Sequence, residues 1–461
     1  MSPQPQPELW QLSAGELFAA YGRGAITPDA VLDATLRRLD EVNPRINAVV
    51  TLDRAGARAA AGESTRRWRE GRPLSALDGV PLTVKDNILA KGLRATWGSS
   101  LYADYIPQHD EEPVARLRGS GAVILGKTNV PEFTLQGYTD NALFGVTRNP
   151  WNLALTPGGS SGGAVAAVCS GIGPIALCTD GGGSIRRPAA HTGLIGFKPS
   201  RGMVPRGEGF PAILYNFEVV GPVARTVGDV VTAMSVVGGP AWREPGASLD
   251  RPLRILHVVT FEDAPVDPVI AQAVADTAAL FKQAGHRVEH LERFELAKPI
   301  GAIWPVISAT GLAWLLSKHQ DAAAKISPAM ADMARAGAAY SATDYLASLD
   351  AIGTLKREFD ALFAQIDILL TPTTAAMPWP ANETHPPEIA GQPVGPRGHA
   401  VFTPFANALG LPAISLPCRV RRNDMPIGFQ LCAAEGHDAL LLTLAQEYER
   451  VCADVFAWPL R

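Results

Sequence analysis

No apolar run in this 461-residue chain reaches the roughly 18 residues of a membrane span, although 47% of its residues are hydrophobic. The N-terminus, MSPQPQPELW, lacks the basic and apolar regions of a secretory signal. Charge of one sign is missing too: 41 Lys and Arg against 45 Asp and Glu leave a formal net charge of -4, with no block of like charge. That balance gives no footprint for nucleic acid or an anionic membrane. Cysteine is scarce and odd in number, at Cys169, Cys178, Cys418, Cys432 and Cys452, mostly in apolar runs and never as CxxC. Reduced, buried thiols in a cytoplasmic protein are therefore expected, without a disulfide framework, metal site or cofactor. Internal repeats and low-complexity segments are also lacking.

What the chain has is alternation. Ser13 with Glu16 makes a capping box, and Thr27-Pro28 opens a second helix along PDAVLDATLRRLDEV. NAVVTL reads as a strand and residues 53–70 as a helix. GVPLTVKD is a short buried strand, EPVARLRGSG a helix with a glycine stop, and AVILG another strand. Residues 164–171 form a small-residue helix before the strand PIALCTD; a Gly/Pro-rich span then runs from about 181 to 225. LRILHVV, a helix from Asp267-Pro268 to Gly285, and HRVEHLE make a strand–helix–strand unit. Residues 300–365 are mainly helical; IDILLTPTT, GLPAISLP and PIGFQLCA are strands, and a helix near HDALLLTLAQEYER ends the chain. No linker divides this pattern, so one α/β domain over 1–461 is expected. Within it, 1–70 is an N-terminal helical segment, 75–225 a core and 300–365 a helical segment.

Three motif matches fail on context. Gly121-AVIL-Gly126-Lys127-Thr128 fits a P-loop pattern, but AVIL is itself a strand whose amides would be paired in a sheet, not free for phosphate. Gly158-x-Ser160-x-Gly162 within TPGGSSGG fits a nucleophile elbow, yet Pro157 stands where a strand should enter, and His257, His385 and His399 have no triad context. His286 and His290 have the i, i+4 spacing of helical metal ligands, but HRVEH alternates like a strand, which makes both solvent-facing strand residues.

A different constellation remains. TDGGGSIRRP places three glycines directly before Ser184, a turn whose amides can converge on one point. Between Ser160 and Ser184, about ten helical residues rise ~15 Å and about seven strand residues return ~23 Å. The two glycine turns can thus face each other. Lys85 follows the apolar VPLTV; burial there would favour its neutral amine, as a lysine base requires.

The block PGGSSGGAVAAVCSGIGPIALCTDGGGSIRRPAA resembles the signature of the amidase signature family. So, in the family's order, do GVPLTVKDNI, VARLRGSGAVILGKTNVPEF, FGVTRNPWN, GFKPSRGMVP, VGPVARTVGD, GLPAISLP and PIGFQL, which together run over nearly the whole chain. The resemblance implies a large mixed, twisted sheet covered by helices on both faces. It further implies a Ser–cis-Ser–Lys triad: Ser184 as nucleophile, Ser160 as relay after a cis peptide, and Lys85 as base. Gly181, Gly182 and Gly183, with Ser184, would supply the oxyanion hole. Ser161, Thr179, Asp180 and Arg186 would hold the two turns together. The chain departs from the family at Gly181, where threonine is usual, at His191-Thr192, and at NFEVVGP in place of a Leu-Asp-Gln pattern.

The expected activity is that of an amidohydrolase cleaving a small-molecule carboxamide through a serine acyl-enzyme, with no cofactor. The alternative is the A subunit of a glutaminyl/aspartyl-tRNA amidotransferase. A homodimer is left open. Substrate contacts are expected from residues 131–150 and 300–345, with Trp97, Phe144, Ile303, Trp304, Ile307, Leu312 and Trp314 as candidates, although helix packing accounts equally for most of these.

Overall fold

Thirteen strands order the computed structural model, which describes residues 8–422, 425–452 and 458–459. They are β1 Val49–Leu52, β2 Pro81–Lys85, β3 Val123–Thr128, β4 Ile175–Asp180, β5 Ile195–Lys198, β6 Val219–Ala224, β7 Arg254–Phe261, β8 Arg287–Phe294, β9 Ile368–Pro372, β10 Glu388–Ile389, β11 Gln392–Pro393, β12 Ala413–Arg422 and β13 Met425–Cys432. Eleven join one sheet in the order β1-β3-β2-β4-β6-β5-β12-β13-β9-β7-β8, while β10 and β11 make a separate hairpin. The sheet is mixed. β2 runs parallel to β3 and β4, and β7 parallel to β8 and β9; the central pairs from β4 through β6, β5, β12 and β13 to β9 are antiparallel.

Strand periodicity decides which face each residue serves. Leu82 and Val84 of β2, Ile175 and Leu177 of β4, and Ile255 of β7 pack into one core with the helices Ala14–Gly22, Glu112–Gly119, Val227–Val237, Pro268–Gln283 and Asp438–Val451. The opposite face carries three clusters: one under the helices Pro28–Ile46 and Arg54–Arg69, one under Gly162–Cys169, and one under the helices of 300–363. Thr83 and Lys85, between the apolar residues of β2, are thereby turned to the side of Gly162–Cys169. Every residue of that helix is buried. Its first two positions leave no room for a side chain: a Cβ on Gly162 would lie 2.3 Å from Thr139 Oγ1, and one on Gly163 2.4 Å from the Asn129 amide nitrogen.

The helix starts expected from capping are present. Ser13 and Glu16 close a capping box, and Thr27 accepts from the Ala30 amide; the helix from Arg54 has a cap that was not expected, Asp53 accepting from the Gly56 amide. The span 181–225, by contrast, holds three elements that its glycine and proline content concealed: the helix Arg186–Thr192, β5 and β6. β6 pairs with both β4 and β5, so tertiary pairing rather than local propensity makes it a strand. The P-loop match is resolved by β3, whose Gly126, Lys127 and Thr128 pair with β1 and β2; Lys127 Nζ donates to the Asp86 and Ile88 carbonyls. His286 is not solvent-facing. It is buried, with Nδ1 accepting from the Leu253 amide and Nε2 beside Glu447, while His290 on β8 pairs with His257. Among the described residues, no helix is long and apolar enough to cross a membrane.

Candidate active site

The C-terminal ends of parallel β2 and β4 meet beneath the N-terminus of Gly162–Cys169, the position where open α/β sheets leave a crevice for ligands. Lys85 ends β2 and is fully buried. Its Nζ lies 2.8 Å from Ser160 Oγ and 3.0 Å from both the carbonyl and the hydroxyl oxygen of Thr179. Burial pulls the Lys85 ammonium down to about 8, against the opposing pull of Glu218 and Asp180. The nearby Cys178 thiol is pushed up to about 12 by its own burial, so it is uncharged where Lys85 titrates. The amine of Lys85 can therefore be neutral a little above physiological pH, which few lysines can be.

The two glycine turns do face each other, as the helix-out, strand-back geometry allows. The Ser161 amide donates to the Ser184 carbonyl at 3.2 Å, and Ser161 Oγ donates to the Thr179 carbonyl at 3.4 Å. The Gly159–Ser160 peptide is cis. Ser160 is fully buried, whereas Ser184 retains 6% exposure, so Ser184 is the one of the two that a solute can reach.

The turn carrying Ser184 is held by one carboxylate. Asp180 Oδ1 accepts from the Gly183 amide at 2.6 Å, and Oδ2 accepts from that of Ile185 at 3.1 Å. Arg186 donates to both oxygens, at 2.9 and 3.0 Å, and reaches outward to the Thr403 carbonyl, Gln430 and Asn407. Burial alone would raise the Asp180 carboxyl. The charge and hydrogen bonds of Arg186 outweigh it and hold Asp180 well below the usual carboxylate range. Since Gly183 gives its N–H to Asp180, the amides of this turn not committed to an acceptor among the described residues are those of Gly181, Gly182 and Ser184.

The three glycines are not equivalent. Gly183 has φ +113°, and a Cβ there would lie 2.2 Å from Thr403 Oγ1. At Gly181 a Cβ would press on the end of the Leu214 side chain, at 2.5 Å, and otherwise make ordinary contact with Glu218 at 3.6 Å, with φ outside the left-handed range. Gly183→Ala is accordingly expected to lower stability by about 2 kcal/mol, and Gly181→Thr to stay within about 1 kcal/mol of the parent. Denaturant unfolding of the two variants side by side checks this ordering.

Two openings flank the turn. A cavity of about 330 Å³ lies on the Gly181 side, lined by Asn87, Trp97, Arg206, Phe210, Leu214 and Glu218. One of about 390 Å³ lies on the Gly182 side, bounded by Phe261, Trp304, Arg397, Val401 and Pro404. Trp304 touches the turn itself, since a Cβ on Gly182 would lie 2.5 Å from its ring. Trp97 stacks on Phe210 in the first cavity wall. Ile303, Ile307 and Leu312 are buried in helix packing, Trp314 is exposed and away from the turn in a third, shallow groove, and Phe144 packs under Arg94. Sequence reasoning missed Asn87, Glu218, Asn407 and Gln430, which come from four separate segments. Asn87 links Thr179 to Glu218, and Arg206 joins Glu218 to Glu111. His191, a departure whose meaning was open, is buried beside Trp379, with burial pulling it down to about 3.

Comparison with known proteins agrees over most of the chain. The family model described as Amidase matches residues 30–442. An acylamidase of Rhodococcus erythropolis is 32% identical over 97% of this chain and 96% of its own. The A subunit of the glutamyl-tRNA(Gln) amidotransferase of Picosynechococcus sp. is 30% identical over 92% and 94%. The solved structure of a bacterial aryl acylamidase of the amidase signature family superposes with a TM-score of 0.87 at 29% identity, covering 99% of each chain. A 6-aminohexanoate cyclic dimer hydrolase in complex with its substrate gives 0.86 at 27%, covering 99% and 100%. With a family model spanning most of its length, its signature glycine turns facing each other and its sheet shared with those structures, this chain belongs to the amidase signature family of hydrolases.

Proposed function

We propose that the protein is a free-standing amidohydrolase that converts a carboxamide into a carboxylic acid and ammonia or an amine through an acyl-enzyme on Ser184. The observation that carries this reading is the 2.8 Å approach of a fully buried, easily neutralised Lys85 to Ser160, with the reachable Ser184 on the facing turn. Neutral Lys85 takes the hydroxyl proton of Ser160 as Ser160 takes that of Ser184, and Ser184 Oγ adds to the substrate carbonyl. The carbonyl oxygen, now negative, is received by the uncommitted amides of Gly181, Gly182 and Ser184. Gly183 acts on the hole through its bond to Asp180, which sets the shape of the turn. Collapse breaks the C–N bond, the proton returns through Ser160 to the departing nitrogen, and water cleaves the ester by the reverse relay. Ser161, Thr179, Asp180 and Arg186 position these groups; no metal or cofactor enters a step.

The relatives named as amidotransferase A subunits make the purified chain alone the decisive sample. It is expected to hydrolyse members of a panel of aliphatic, aryl and amino-acid amides without added subunits. Turnover only on addition of partner subunits and glutamine would overturn the free-standing reading in favour of the amidotransferase one.

A further inference from the structure

The two adjacent arginines after Ser184 have opposite fates. Arg186 is fully buried and fully compensated, spending its guanidinium on Asp180, Asn407, Gln430 and the Thr403 carbonyl. Arg187 is 94% buried and has no carboxylate within ion-pair distance among the described residues. The oxygens of Asp180, the acid whose charge acts on Arg187, are already taken by Arg186, Asn407 and the turn amides. Among the described residues the Arg187 guanidinium makes two long contacts only: Nε to the Gly183 carbonyl, which already accepts from the Arg187 amide, and Nη1 to His399 Nε2, both at 3.4 Å. A guanidinium has five N–H donors, so at least three are unclaimed.

Its surroundings add no negative charge. His399 is buried, and if its Nε2 accepts from Arg187 its Nδ1 carries the proton; that Nδ1 has no partner. The second arginine, Arg397, lies over the Trp304 ring at 4.9 Å in the cavity wall, again without an acid. The two carboxylates of that cavity, Glu262 and Asp263, are matched by Lys298 and Arg293. Although burial pulls the Arg187 guanidinium down to about 10, it stays charged at neutral pH. An uncompensated buried cation is costly unless something anionic joins it, and a planar guanidinium fork suits a carboxylate.

We propose that Arg187, with His399 and Arg397 beside it, forms a subsite for a carboxylate carried by the substrate, next to the turn that bears Ser184. The substrate class is then an amide with a free carboxylate a few atoms from the scissile carbonyl, which rests on and sharpens the amidohydrolase reading.

The test compares charged amides with neutral partners of equal length: the monoamides of succinic, glutaric and adipic acids against butanamide, pentanamide and hexanamide. The butanoyl amides of glycine and of propylamine place the charge on the amine side instead. In the wild type, kcat/KM for the best charged member is expected to exceed that of its neutral partner at least about tenfold. Arg187→Gln is expected to lower that ratio about 10- to 100-fold, chiefly through KM, with partial recovery in Arg187→Lys. Should Arg187→Gln fail to fold, Arg397→Gln at the solvent-facing wall is expected to lower the same ratio at least about threefold. Calorimetric binding of succinate, expected in the wild type and weakened in the variant, probes the subsite without turnover. Equal turnover of charged and neutral amides, with a ratio that neither variant changes, would overturn the subsite while leaving the hydrolase intact. Succinate binding that depends on Arg187, with no amide cleaved, would sink the hydrolase and keep the subsite.

Discussion

Ser184→Ala is expected to reduce kcat on any accepted amide by about 10⁴- to 10⁶-fold, the scale seen when a relay-activated nucleophile is deleted. The variant should fold, because Ser184 contributes to the turn through its backbone, whose carbonyl accepts from the Ser161 amide. Ser160→Ala makes the contrasting case. It removes the proton path but leaves Ser184 Oγ in place, so an activated ester should still acylate Ser184 slowly, visible as a mass increase on the peptide that contains it. Ser184→Ala should show no such increase. A Ser184→Ala protein that keeps turnover within about tenfold of wild type, or an acyl group found on Ser160, would make Ser160 the nucleophile and restore the elbow pattern that TPGGSSGG first suggests. The burial difference argues against that outcome: Ser160 is enclosed against Lys85, and only Ser184 has any exposure.

The parts of this site that the sequence made legible are those carried by short-range regularities. The alternation of β2 places Lys85 on the face opposite Leu82 and Val84, and the lengths of one helix and one strand bring Ser184 back to Ser160. The caps at Ser13 and Thr27 are likewise local. Illegible parts are long-range. Asn407 and Gln430 reach Asp180 and Arg186 across more than 200 residues, and no spacing rule connects them. β6 is a strand because β4 and β5 flank it, against its own glycine and proline. The fate of Gly183 was hidden for a related reason: a run of glycines announces free amides, but which of them is already spent depends on where the Asp180 side chain turns. His286 misled because it is not part of the strand whose alternation it was read from: β8 begins at Arg287, and His286 sits just before it, held by the Leu253 amide and covered by Glu447 of the last helix.

The pH dependence of kcat/KM separates a neutral base from a cationic donor at Lys85. With its ammonium pulled down to about 8 by burial, activity that needs the free amine should rise about tenfold per pH unit below 8 and level off above it. A lysine acting as a cation would give the reverse, with activity lost as pH rises through 8. Lys85→Met should cost about 10³- to 10⁴-fold at the plateau and abolish this limb. Lys85→Arg is the sharper variant: arginine retains the charge and the donors but cannot lose its proton in this range, so it should be as inactive as methionine. Partial activity in Lys85→Arg would overturn the base assignment. Glu218 and Asp180 oppose the effect of burial on Lys85, so Glu218→Gln should move the limb to lower pH. Unfolding does not explain the loss in Lys85→Met. A lysine whose ammonium is disfavoured in the fold takes up a proton at higher pH when unfolded, so below about pH 8 the charged side chain weakens the native state. Methionine removes that penalty, and the inactive variant should be no less resistant to denaturant at pH 7 than the active enzyme.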